Sequence, residues 1–190
     1  MVSTQTVKIG SGGMNAGKKF EKIIKKCIPE YCFYYRLPDP PQSYYQTDSL
    51  RFSWKNPCDA FVFDTNNRLF YALELKSTQS KSMTFEDINL DKQTRKMIHK
   101  EQILALLEMS KYSHTIAGFI FNFRDEVTGI ERTYFQKIED FMTMIGNISK
   151  KSFNEIDLIK NNHITLQGER KRKNANYTWD IDTMFKTMKV

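Results

Sequence analysis

The chain reads as an α/β fold, and three stretches predict it. Phe20, Ile23, Ile24, Cys27 and Ile28 recur at the spacing of one helix face. "DAFVFD" and "LFYALELK" are strand-like runs on either side of the turn-forming "TNNR". "TIAGFIFNF" is an apolar run of strand length, as a strand buried on both faces requires.

Residues 1–14 are rich in Gly, Ser and Thr and read as a flexible N-terminal segment ahead of one domain, 15–190. Asn15 is the expected N-cap of the first helix, and Pro29 closes it, because proline has no N–H to continue the ladder. "YCFYYRL" follows as a strand. Residues 38–57 hold four of the five prolines and few aliphatics, too long a connection for a compact domain unless it protrudes. Arg51 and Lys55 lie there among Tyr44, Tyr45, Phe52 and Trp54, a mix that suits contact with nucleic acid or with a second subunit. Strands are expected at about 59–64 and 69–76. A polar, charged stretch (77–96) follows, with Lys81, Lys92, Arg95 and Lys96. Helices are expected at about 97–112 and 134–145. "SFNEIDLI" opens a short helix with a Ser152–Glu155 capping box. "ERKRKN" reads as a solvated basic loop.

Length supports one domain of 190 residues, enough to bury roughly 70% of the unfolded surface. The net charge of +7 favours an acidic partner, either nucleic acid or an anionic surface. Cys27, Cys32 and Cys58 are an odd set without metal-ligand spacing. With no signal peptide they read as reduced thiols of a cytoplasmic protein. No apolar run approaches the 18 residues or so that a membrane span needs.

Centring the hairpin on Asn66–Asn67 places 64 opposite 69 and therefore 59 opposite 74. Opposed residues point to one face, so Asp59 and Glu74 are expected side by side, and Lys76, two residues on, shares that face. Leu69, Tyr71, Leu73 and Leu75 then point into a core. Two adjacent carboxylates repel, and a divalent cation relieves them. Mg²⁺ suits a few carboxylates, waters and a phosphate oxygen, and a neighbouring lysine can orient water or offset charge on the phosphate. Such a site hydrolyses phosphodiesters. The bland alternative is a salt-bridged strand end.

"PCD" followed after a hairpin by "ELK" resembles the PD-(D/E)xK nuclease signature. "NAGKKFE", "CDAFVF…YALELKST", "QSKSMTF", "HKEQI", "SFNEIDLI" and "YTWDID" resemble, in order, segments of the RecU-type Holliday junction resolvases. Pro57 stands where that family often has Thr. The resemblance implies a restriction-endonuclease-like mixed sheet flanked by helices, with 38–57 as a stalk entering a four-way junction. It implies a Mg²⁺-dependent homodimer (Mn²⁺ as substitute) that nicks two strands symmetrically in recombination and repair, in a bacterial cell or a phage-infected host. Asp59, Glu74 and Gln102 would hold the metal. Lys76 and Glu21 would be catalytic. Arg36, Arg51, Lys55 and Lys81 would contact DNA. His99 shares a helix face with Gln102 and is more simply structural. The alternatives are another nuclease on this core, acting on duplex or branched DNA, and a junction-binding module without catalysis.

Overall fold

The computed structural model describes residues 16–38, 56–90, 96–170 and 177–188. In chain order the elements are α1 (Ala16–Cys27), β1 (Cys32–Arg36), β2 (Ala60–Asp64), β3 (Leu69–Thr78) and β4 (Ser82–Thr84). Then come α2 (Lys100–Ser110), β5 (Thr115–Arg124), β6 (Glu131–Lys137), α3 (Ile138–Asn147), β7 (Ser152–Asn154) and α4 (Glu155–Ile159). The described chain closes with β8 (Ile164–Leu166), β9 (Gly168–Arg170), β10 (Tyr177–Trp179) and α5 (Asp182–Thr187). Asn15, Arg51 and Lys55, and most of the expected stalk, lie outside the described residues.

Six strands form one sheet in the order β1-β2-β3-β5-β6-β8. Only β3 and β5 run parallel; the remaining pairs are antiparallel. The parallel step requires a crossover, which β4 and α2 supply. Helices cover both faces, giving the mixed α/β architecture the sequence predicts. On one face Phe20 and Ile24 of α1 and Met184 and Phe185 of α5 share a core with Tyr71, Leu73 and Leu75. On the other, Ile103 and Leu106 of α2 and Phe141 and Met144 of α3 pack with Ala72, Phe119 and Phe121. Coverage on both sides explains why "YALEL" and "GFIFNF" are apolar with little alternation.

The β2–β3 hairpin has the expected register, with Asp64 opposite Leu69 and Ala60 opposite Leu73. Its turn differs in detail. The left-handed backbone falls on Arg68 (φ 56), not on the asparagines. Asp64 sets this geometry by accepting hydrogen bonds from the backbone N–H groups of Asn66 and Asn67.

Four other expectations are corrected. Residues 134–137 are strand, and α3 starts only at Ile138. Tyr134 and Phe135 fit a helical spacing by sequence, yet they enter the cores on opposite faces of the sheet, which is strand periodicity. The stretch 77–96 is not simply a polar connection: Met83 and Phe85 are fully buried, and Phe85 packs against Phe141 and Phe153. Helix α2 starts at Lys100, because Ile98 is drawn into a bridge with Phe85. The capping box of α4 is Asn154 with Asp157, since Ser152 is paired in β7 opposite Thr84.

Candidate active site

Asp59 sits where the chain enters β2. Its backbone N–H donates to Leu73 O (3.1 Å), and its carbonyl accepts from Leu37 N (3.0 Å). The regular hairpin pairing ends at Ala60 opposite Leu73, and the Asp59 N–H bonds Leu73 rather than Glu74, so the expected 59–74 pair is replaced by a bulge-like step that still leaves Asp59 beside β3. Asn56 Nδ2 donates to Pro38 O (2.6 Å), so the chain leaves β1 and returns to β2 at adjacent points beside this aspartate. Asp59 Oδ2 accepts from the Leu75 N–H at 2.8 Å, which fixes the carboxylate against β3.

Glu74 lies in the middle of β3, between β2 and β5, and is only 2% exposed. Lys76 Nζ is 2.9 Å from Glu74 Oε1. Gln102 Nε2 also donates to Glu74 Oε1. Burial pushes the Glu74 carboxyl up to about 7; Lys76 opposes this and the charge of Asp59 adds to it. Asp59 is likewise raised by burial, against the lowering effect of the Leu75 N–H and Lys76. One ammonium is therefore too little charge for the two acids.

Glu21 projects from α1 and accepts from Arg36 Nε of β1 at 2.8 Å. Its negative charge raises both Asp59 and Glu74, so it belongs to the same electrostatic cluster. Burial pushes the Cys58 thiol up to about 12, leaving it protonated and a poor nucleophile.

Five of the expected site residues thus gather with Arg36 at one end of the β2–β3 hairpin: Glu21, Asp59, Glu74, Lys76 and Gln102. The contact of Gln102 differs from the metal contact expected of it. Its Oε1 accepts from the backbone N–H of His99 at 3.0 Å, so the atom that could ligate a cation caps α2, and the NH₂ group orients Glu74. His99 Nδ1 is 3.4 Å from Glu86 Oε1, away from Glu74, and the residue serves as the N-cap of α2. Lys81 is exposed in the turn between β3 and β4. Not expected from the sequence is a groove of about 290 Å³ beside Glu21, lined by Lys18, Lys22, Lys25, Tyr34 and Arg36. The signal was present: Lys18, Lys22 and Lys25 lie at i, i+4 and i+7 of the same helix.

The donor set fits a hard divalent cation. Oδ2 of Asp59 and Oε1 of Glu74 carry the hydrogen bonds that hold the two side chains, which leaves Asp59 Oδ1 and Glu74 Oε2 to face a cation. The repulsion between the two acids is the charge such an ion would neutralise. Among the described residues no group of three or more His, Cys, Asp or Glu is arranged to hold a metal.

No protein-family model matches the chain. It is similar to the SPbeta prophage-derived uncharacterized protein YotM of Bacillus subtilis (strain 168), with 29% identity over 184 residues, covering 91% of this chain and 86% of that protein. Among solved structures it is similar to Hjc, a Holliday junction resolvase from Archaeoglobus fulgidus. The TM-score is 0.44 and the identity 14%, over 76% of this chain and 93% of that one. Among the described residues no helix is long and apolar enough to cross a membrane.

Proposed function

We propose that this chain is a metal-dependent endodeoxyribonuclease that resolves four-way DNA junctions, working as a homodimer on a restriction-endonuclease-like core. The observation that carries the reading is the open end of the β2–β3 hairpin, where the Lys76 amine lies 2.9 Å from Glu74 and Asp59, raised by burial like Glu74, is fixed on the Leu75 N–H beside them. The ordered resemblance to junction-resolvase segments along the chain supports the junction as substrate. Paired nicks need two sites related by a two-fold axis, hence the dimer. The prophage origin of the Bacillus subtilis relative supports a phage setting within a bacterial cytoplasm.

Asp59 and Glu74 would hold Mg²⁺, with Mn²⁺ an acceptable substitute for the same oxygen donors. When bound, the ion supplies positive charge at the scissile phosphate and acidifies water. The chain's own groups do the rest. Leu75 N–H and Gln102 Nε2 fix the two carboxylates before substrate arrives. Lys76, with its side chain 14% exposed, keeps its charge poorly screened. It hydrogen-bonds the attacking water and offsets negative charge developing on the phosphate oxygens. Glu21 is held by Arg36 and tunes both acids.

The test is cleavage of a labelled synthetic four-way junction and of linear duplex of the same sequence, with Mg²⁺ and with chelator. Symmetric paired nicks on the junction alone, and only with metal, are expected. Equal cutting of duplex would replace the junction assignment with a general nuclease. Tight junction binding without any cutting would make the chain a binding module.

A further inference from the structure

Helix α1 is dense in positive charge. It carries five lysines in 12 residues and has no acid in its first turn. Lys18 and Lys22, and Lys22 and Lys25, are like-charged neighbours on one face, and Lys18 stands near the helix end whose dipole disfavours cations. Its single acid, Glu21, is already engaged by Arg36 at 2.8 Å. Packing does not demand these lysines. The helix is held by Phe20 and Ile24 on its buried face, while Lys18, Lys22 and Lys25 are exposed.

The same three lysines line the groove together with Glu21 of α1 and Tyr34 and Arg36 of β1. Lys25 Nζ lies 6.0 Å from the Tyr34 ring centroid, so the aromatic floor supports a cation at the far end. From Lys18 to Lys25 the helix rises about 10 Å, roughly the axial advance of three nucleotide steps on one DNA strand. A chain of anions laid in this groove would meet four cations and pass Glu21, whose charge acts on both Asp59 and Glu74.

We infer that the groove between α1 and β1 is a strand-tracking site, in which Lys18, Lys22, Lys25 and Arg36 hold successive phosphates of the DNA strand beside the one cut. The inference rests on the nuclease reading for the identity of the polyanion. The groove acts in binding, independently of the cation, and can be tested without cleavage.

The experiment is fluorescence-anisotropy titration of the full chain with a labelled four-way junction and a 30-base-pair duplex, in chelator, across a salt series. The variant K18Q/K22Q/K25Q is compared with wild type and with K19Q/K26Q, which alters the same helix outside the groove. Matching melting curves establish that all three fold. Neutralising contacts to phosphates flattens the dependence of log Kobs on log salt by about 0.9 per phosphate. The groove variant is therefore expected to lose about 2.7 in slope, at about 0.9 for each of three lysines, and at least about tenfold in affinity, with K19Q/K26Q changing by less than half as much. An unchanged slope in the groove variant, or equal losses in both variants, overturns the groove while leaving the nuclease reading standing. A groove-dependent slope in a protein that never cuts DNA upholds the groove and removes the nuclease reading. A wild-type chain that binds neither DNA removes both.

Discussion

The two ends of the β2–β3 hairpin each place an aspartate against the sheet, and the protein treats them in opposite ways. Asp64, at the turn, is fully buried, and its oxygens accept from Asn66 N, Asn67 N and Asn67 Nδ2. All three donors come from the next three residues, so the carboxylate is satisfied locally and its job is to shape the turn. Asp59, at the open end, has one backbone donor, and its nearest side-chain neighbours include two further acids. Desolvation there is only partly offset, by the Leu75 N–H, Lys76 and Arg36. A buried acid with local donors is architecture; one held beside other acids is what the proposed cation would neutralise.

The comparison breaks most sharply under substitution. Asp59→Asn, Glu74→Gln and Lys76→Ala should each lower junction cleavage by at least about 10³-fold, because each removes a group acting on the reacting phosphate or its cation. Junction affinity should stay within about threefold, since phosphate contacts elsewhere carry binding. Asp64→Asn should cut at the wild-type rate per folded molecule. If Asp59→Asn cuts normally, or Asp64→Asn is dead while folded, the two ends have been assigned the wrong way round.

Stability should respond in the reverse order. Asp64→Ala strips three donors of their acceptor and should cost about 2 kcal/mol by urea unfolding, as loss of a partly buried hydrogen-bond cluster does. At the open end, Glu74→Gln should stabilise the protein in chelator at pH 8. The folded carboxyl titrates near 7, above its ordinary value of 4.5. Between those pH values the folded chain holds a proton the unfolded chain has released. The stability this group contributes is present below about pH 4.5 and is lost as pH rises through about 7. At roughly 1.4 kcal/mol for each pH unit separating the two values, the penalty at pH 8 is about 3 kcal/mol. Melting curves from pH 5 to 8 should show wild type falling behind Glu74→Gln, and added Mg²⁺ should close the gap for wild type alone. A gap independent of pH would mean that Glu74 is not carrying this load.

Gln102 sharpens the open end further. Gln102→Ala removes a donor to Glu74 and the acceptor for His99 N–H, and should lower cleavage about tenfold with little loss of DNA affinity. Gln102→Glu should do more, placing a third carboxylate against Glu74. If Gln102→Ala retained full activity at limiting Mg²⁺, positioning by this amide would be unnecessary.

Much of this end was legible because it depends on local rules. "TNNR" sets the register as far as Ala60 opposite Leu73, and strand alternation brings 76 to the same face as 74, whereas Asp59 reaches that end through its bonds to Leu73 and Leu75 rather than through a 59–74 pair. The fold class was legible for the same reason, from helix spacing and from runs that need covering on both sides. The errors came where tertiary contact decides. Tyr134 and Phe135 satisfy a helical spacing, and only the two cores on opposite faces of the sheet make them strand. Met83 and Phe85 look isolated in a charged stretch until Phe141 and Phe153 arrive from far along the chain. The two atoms of the Gln102 amide are divided between a helix cap and a strand acid, and no spacing rule assigns them. The lysines of α1 form one wall of a groove only because β1 supplies the other, which no helix spacing reveals.

The smallest expected effect lies at the turn. Arg68 adopts φ 56, a left-handed conformation that crowds a Cβ, and glycine would adopt it without that strain. Glycine also gives the unfolded chain more freedom, which offsets part of the gain. Arg68→Gly should therefore raise stability by only about 0.5 kcal/mol, a shift of roughly 1–2 °C in Tm for a chain of this size. Cleavage and its pH profile should not change, because the turn transmits nothing to Asp59 beyond register, and register is already fixed by Asp64 and the Asn66–Asn67 amides. A measurable change in cleavage by Arg68→Gly at unchanged stability would show that the two ends of the hairpin are coupled.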